Sequence, residues 1–194
     1  MSCSDTTQPR FDASFRSIAR VELAHRAWYE HAPGWLVGHA TLFDALLHDM
    51  RWQHGQREMY GRTVDVPRLH AVVPDDGPGH PLLADITDAL QRRYDQAFVR
   101  TSMALYRDGR DSVAWHGDTV ARELPEALVA TVSLGAPRTF MLRDKAGGPS
   151  IALRLGGGDL LVMGGTSQRT WQHAVPKVAR AAPRIVVMFR PRWA

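Results

Sequence analysis

From residue 98 onward the chain is a series of short β-like runs, each ended by glycine, proline or charged residues. They are Phe98–Tyr106, Leu128–Leu134, Arg138–Leu142, Ser150–Leu155, Asp159–Met163 and Arg184–Arg190. Many short strands at close spacing manage their unpaired edges by closing into a barrel or a jelly roll. Helical signals precede them. The segment from Ala13 to Glu30 has few breakers, and Leu42 to Met50 repeats apolar residues at helical spacing with Thr41 placed as an N-cap. Leu82, Leu83, Ile86, Leu90 and Tyr94 trace one face of a helix from Pro81 to Tyr94. The expected fold class is therefore α+β: a double-stranded β-helix, or jelly roll, with N-terminal supporting helices. Residues 1–12 are polar and aperiodic and read as a flexible tail, leaving residues 13–194 as a single domain.

Composition narrows the partners. Cys3 is the only cysteine, which excludes an internal disulfide and a cysteine-based zinc site and fits a reducing cytoplasm. The first residues lack a secretory signal, and no apolar run is long enough for a membrane span, so no membrane partner is expected. Lysine and arginine outnumber aspartate and glutamate by 24 to 20, and the sequence pI is about 9.7. That balance favours an acidic partner, such as nucleic acid or a carboxylate-bearing cofactor. A monomer is expected.

The chemistry concentrates in His116-Gly117-Asp118, a later His173, and the pair Arg184 and Arg190. In an extended segment residues i and i+2 face one way, so His116 and Asp118 can point together while Gly117 adds no bulk between them. Two imidazoles and one carboxylate are the set that holds a ferrous ion with coordination positions left open. Gly156-Gly157-Gly158-Asp159 turns into the strand Leu160–Met163, and a loop then leads to Trp171-Gln172-His173, which is expected just after a barrel strand. From Arg184 to Arg190 the run alternates. Arg184, Val186, Met188 and Arg190 share one face, and Ile185, Val187 and Phe189 the other. Guanidinium forks on one face suit a small dicarboxylate.

Taken in order, these stretches resemble the AlkB family of Fe(II)- and 2-oxoglutarate-dependent dioxygenases over about residues 50–192. The resemblance rests on Met59-Tyr60-Gly61-Arg62, Val66-Pro67-Arg68-Leu69, Leu105-Tyr106-Arg107-Asp108-Gly109-Arg110-Asp111-Ser112, Trp115-His116-Gly117-Asp118, Ser133-Leu134-Gly135-Ala136-Pro137-Arg138, Trp171-Gln172-His173 and Arg184 to Arg190. It implies Fe(II) bound by His116, Asp118 and His173. It also implies 2-oxoglutarate held by Arg184, Arg190 and Tyr106, with O2 as oxidant and alkylated DNA or RNA bases as substrate. Trp52, Tyr60, Arg68 and Arg110 are the candidate substrate-binding residues.

The sequence departs from the family at Ala104, where an asparagine is usual, and at Val186 and Met188, where polar residues often stand. Val120 replaces a common base-reading acid, and His70-Ala71-Val72-Val73 lacks an aromatic on which a flipped base stacks. Two alternatives stay open. One is a 2-oxoglutarate-dependent hydroxylase or demethylase of a protein or small molecule; the other is a non-catalytic module that binds iron or 2-oxoglutarate.

Overall fold

The computed structural model describes residues 8–59, 62–73, 80–118 and 123–191, with backbone alone over 56–59 and 62–65. In chain order the elements are β1 (Arg10–Phe11), β2 (Ala19–Glu22), a 3-10 turn (Ala24–Arg26), β3 (Ala27–Ala32), β4 (Leu36–Val37), α1 (His39–Asp49), β5 (Gln53–Met59), β6 (Arg62–Val72) and α2 (Pro81–Tyr94). There follow β7 (Arg100–Tyr106), β8 (Val113–His116), β9 (Val129–Gly135), β10 (Arg138–Asp144), β11 (Ile151–Leu155), β12 (Leu160–Gly165), α3 (Ser167–Thr170), β13 (Trp171–Val175) and β14 (Arg184–Arg190).

An eight-stranded sheet in the order β2-β3-β12-β9-β14-β7-β6-β5 faces a four-stranded sheet in the order β11-β10-β13-β8. Every pairing in them is antiparallel. This is the expected jelly roll. The alternation of β14 divides the interior in two. Ile185, Val187 and Phe189 turn to one face of the large sheet, where Leu42 and Leu46 of α1 and Leu83, Ile86 and Leu90 of α2 cover them. Val186 turns to the other face, between the sheets, among Ala104, Tyr106, Phe140, Leu155 and Val175. The helices thus seal one side of the sheet, and the space between the sheets is left to hold a site. No helix among the described residues is long and apolar enough to cross a membrane.

The N-terminal expectation needs correction. Residues 13–30 form β2 and β3 instead of a helix. Phe15, His25 and Arg26 take positive φ (52°, 65° and 63°), which no helix accommodates. β3 also gains a full ladder against β12, from Leu160↔Ala32 to Gly165↔Ala27. Sheet pairing overrides the absence of breakers. Glu30, buried in β3, fastens this layer to α2: it accepts from Arg20 Nε at 2.8 Å and from the Tyr94 hydroxyl. Within the expected tail, Arg10 and Phe11 pair with Val37 and Leu36.

Two boundaries also move. The helix expected from Leu42 begins earlier, at His39, after Gly38 in the left-handed region, so Thr41 lies inside it and is not its cap. The second helix spans Pro81–Tyr94 as expected, with proline in its first turn and His80 accepting from the Leu82 amide at 3.2 Å. β5, β6, β8 and β13 are strands that the pattern of residue types did not reveal.

Candidate metal centre and cavity

Four elements converge at one end of the space between the sheets. β8 ends on His116, and its neighbour β13 carries His173 as the direct cross-strand partner. His173 therefore lies within a strand and not after one. Asp118 follows two residues beyond β8. One ligand atom from each of His116, Asp118 and His173 can be chosen so that all three lie within 4.8 Å of one another. The triplet keeps its shape because Gln168 of α3 accepts from the Asp118 amide at 2.9 Å. A Cβ at Gly117 would fall 2.7 Å from the Gln168 carbonyl oxygen, so only glycine lets this turn lie against α3.

The electrostatics suit a cation. His116 Nδ1 lies 2.9 Å from the Ala114 carbonyl, which can only accept, so Nδ1 carries the proton and Nε2 keeps a free lone pair. Burial lowers the His116 pKa and pushes that of His173 down to about 3, so both rings are neutral donors at pH 7. Phe140 stacks on His173 with ring centroids 5.3 Å apart and fixes its plane. Burial pushes the Asp118 carboxyl up, but the Arg190 charge pulls the other way and leaves it below its ordinary value. Arg190 Nη2 donates to both Asp118 oxygens at 3.2 and 3.3 Å, and its Nη1 donates to Ser102 Oγ at 2.8 Å. An anionic oxygen pair beside two neutral imidazoles fits a divalent iron.

A narrow cavity of about 50 Å³ runs from this cluster to Arg184. Arg184 is 1% exposed. Its Nη2 donates to Ser133 Oγ at 2.9 Å, while Nε and Nη1 have no hydrogen-bond partner. Burial lowers its pKa to about 10, still well above neutrality. A buried cation with two unmatched donors calls for a carboxylate. Tyr106 lies beside it. The guanidinium carbons of Arg184, Arg138 and Arg68 stand 5.6, 5.6 and 5.9 Å from the Tyr106 ring centre. Arg138 is held behind that ring by the carbonyls of Asp108, Asp111 and Pro176. Donor chemistry at both ends thus fits Fe(II) and a dicarboxylate co-substrate.

A wider, more open cleft of about 550 Å³ adjoins the cluster, lined in part by Arg68, His70, Arg100, His116, Asp118 and Arg190. Of the candidate substrate residues, Arg68 lines both spaces. Trp52 lines neither: it donates to the Leu47 carbonyl at 3.1 Å and packs on the main core. Arg110 is exposed and paired with Asp108 at 2.8 Å. Tyr60 and Val120 lie outside the described residues. Gln168, Ser102, Ser133 and Arg138 are site residues that sequence reasoning missed. Gln168 gives no signal in the sequence, because it is 50 residues from the amide it holds.

A family model described as the 2OG-Fe(II) oxygenase superfamily matches residues 50–190. Alpha-ketoglutarate-dependent dioxygenase alkB homolog 3 of Bos taurus is 28% identical over 172 residues, covering 77% of this chain and 60% of that protein. DNA oxidative demethylase ALKBH2 of Homo sapiens is 30% identical over 155 residues, covering 69% of this chain and 59% of that one. The chain spans about three fifths of the length of the curated relatives it matches. Among solved structures, OsALKBH1 superposes with a TM-score of 0.60 at 15% identity, over 84% of this chain and 96% of that one. An oxidoreductase of the 2OG-Fe(II) oxygenase family from Burkholderia pseudomallei gives 0.56 at 15% identity, over 92% of this chain and 87% of that one. Both likenesses concern the fold.

Proposed function

The chain belongs to the 2OG-Fe(II) oxygenase superfamily as one of its AlkB-like members, and we propose that it oxidatively demethylates alkylated bases in DNA or RNA. The observation that carries this reading is a single cavity with a His-Asp-His cluster at one end and a buried, partly unmatched arginine at the other. His116 Nε2, Asp118 and His173 would hold the iron, and Arg184, with Tyr106 beside it, would take a carboxylate of 2-oxoglutarate. Iron with 2-oxoglutarate and O2 supplies an oxidant able to hydroxylate a C–H bond, while the co-substrate leaves as succinate and CO2.

The protein's own part is positional. Gln168 and Gly117 fix the turn that carries Asp118, and Arg190 keeps that carboxylate charged and oriented. Phe140, Leu155, Met163 and Val175 line the cavity with apolar side chains. The adjoining cleft carries the guanidinium groups of Arg68 and Arg100 where a phosphate backbone would approach. Hydroxylation of an N-methyl carbon yields a hemiaminal that releases formaldehyde and the unmodified base.

One observation favours a second substrate class. Among the described residues the cleft offers no phenylalanine, tyrosine or tryptophan for stacking a flipped base, and its rings are those of His70 and His116. A protein side chain or small anionic metabolite is the second reading. The test is aerobic incubation with Fe(II), 2-oxoglutarate and a panel of methylated DNA and RNA oligomers. Loss of one methylene unit from an oligomer, with matching succinate, supports repair. Succinate formation that no methylated base stimulates supports the other class, and absence of any Fe(II) binding supports neither.

A further inference from the structure

Strand β8 breaks the period of two. Val113 and His116 both line the cavity although they lie three positions apart, whereas their cross-strand partners on β13, Val175 and His173, lie two apart. One extra residue is therefore taken up in β8 as a β-bulge, a device that re-aims a side chain beside a site. In a regular strand the next residue to face inward after Val113 would be Trp115, and His116 would face out. The bulge reverses the two. We propose that Arg143 is a positioning residue for the metal centre, because it holds Trp115 on the outer face of the small sheet and so keeps His116 turned inward. The inference rests on the proposed role of His116 as an iron ligand.

The brace lies on the side of the small sheet away from the cavity. Phe140 and Leu142 of β10 pack inside, which turns Arg143 outward; Trp171 and Val175 of β13 pack inside, which turns Gln172 outward. Arg143 and Gln172 are direct cross-strand partners. Arg143 Nε and Nη2 both donate to Gln172 Oε1, at 3.0 and 2.8 Å. Fixed in this way, the guanidinium lies over Trp115, its central carbon 4.2 Å from the ring centre. Three strands are thereby tied together at the residues that precede the two histidines, Trp115 before His116 and Gln172 before His173. On the inner side the bulge supplies the Ala114 carbonyl that accepts from His116 Nδ1 at 2.9 Å and leaves Nε2 for the metal. Arg143 itself lines neither the cavity nor the cleft, so it acts on the metal only through these neighbours.

Two readings test this on the full chain: Fe(II) affinity from anaerobic competition with a chelator, and the visible d–d bands of the Co(II)-loaded protein, which report the number and placement of the ligands. Arg143→Met keeps the stem and removes the fork. The expected result is Fe(II) binding weaker by about tenfold, the cost of losing a partner that orients a ligand, together with altered Co(II) bands. Charge alone predicts the opposite sign, since removing a nearby cation favours a divalent metal. Arg143→Lys retains a cation over Trp115 and recovers part of the affinity. Arg154→Met removes an exposed guanidinium from β11 of the same sheet and leaves both readings at their wild-type values. Should Arg143→Met fail to melt cooperatively, Gln172→Leu, which removes only the acceptor, gives the deciding reading in the same direction. Wild-type affinity and bands in these variants, or an equal loss in Arg154→Met, overturn the inference while the proposed function stands. If the wild type binds no Fe(II), the inference and the proposed function fail together.

Discussion

The two ends of the cavity are built on opposite principles. At the metal end every charge has a partner: Arg190 spans Asp118 and Ser102, His116 is fixed by the Ala114 carbonyl, and Gln168 holds the Asp118 amide. At the far end Arg184 is as deeply buried, yet it has a single hydrogen bond and two guanidinium nitrogens without one. The first end holds its shape by itself. The second spends folding stability on a group that only an anionic ligand would satisfy.

The sharpest way to break this contrast is to remove a donor from the metal end. His173→Ala or Asp118→Ala abolishes Fe(II)-dependent turnover of 2-oxoglutarate, measured as succinate, while circular dichroism reports an intact fold. Next in size, the two arginines respond in opposite directions. Arg190→Met leaves the Asp118 carboxylate buried beside no cation and lowers the stability of the metal-free protein by about 3 kcal/mol, seen in urea unfolding. Arg184→Met removes an unpaired buried charge, so the metal-free protein melts at a higher temperature. The same change weakens 2-oxoglutarate binding by about 10- to 100-fold, the worth of a charge-assisted pair.

Smaller effects sharpen the picture. Gln168→Leu frees the turn carrying Asp118 and lowers Fe(II) affinity by about tenfold, measured by anaerobic competition with a chelator. Acid acts through both kinds of group. His173 is held below its unfolded value of 6.5, down to about 3, so the unfolded chain takes up a proton there that the native protein refuses. Stability therefore declines as pH falls through that window. Asp118, also lowered, contributes stability present above its unfolded value of 3.8 and lost as pH falls through its folded value. Thermal melts of the metal-free protein at pH 8 and pH 7 should nearly coincide, with a fall beginning below about pH 6.5 and steepening below pH 4.

Which residues would come together was easier to read than the scaffold. His116, Asp118, His173, Arg184 and Arg190 all line one cavity, because a fixed order of ligand types and a period-2 strand are properties of the chain itself. The run from Ala13 to Glu30 misled because its strand character depends on a ladder to β12, more than 120 residues away, and on backbone turns at His25 and Arg26. β8 and β13 escaped notice for a similar reason. Their residues, Val113–His116 and Trp171–Val175, become strands by pairing with each other and with β10. Partners such as Gln168 and Ser102 are chosen by register across strands, which local pattern does not encode.

One cavity is expected to join a metal to an anion-binding arginine. Calorimetric titration of 2-oxoglutarate under anaerobic conditions, into wild-type, His173→Ala and Arg184→Met proteins with and without Fe(II), tests this directly. The predicted result is one-to-one binding that requires both the metal and Arg184. Binding that persists undiminished without Fe(II), or that neither substitution weakens, would contradict it.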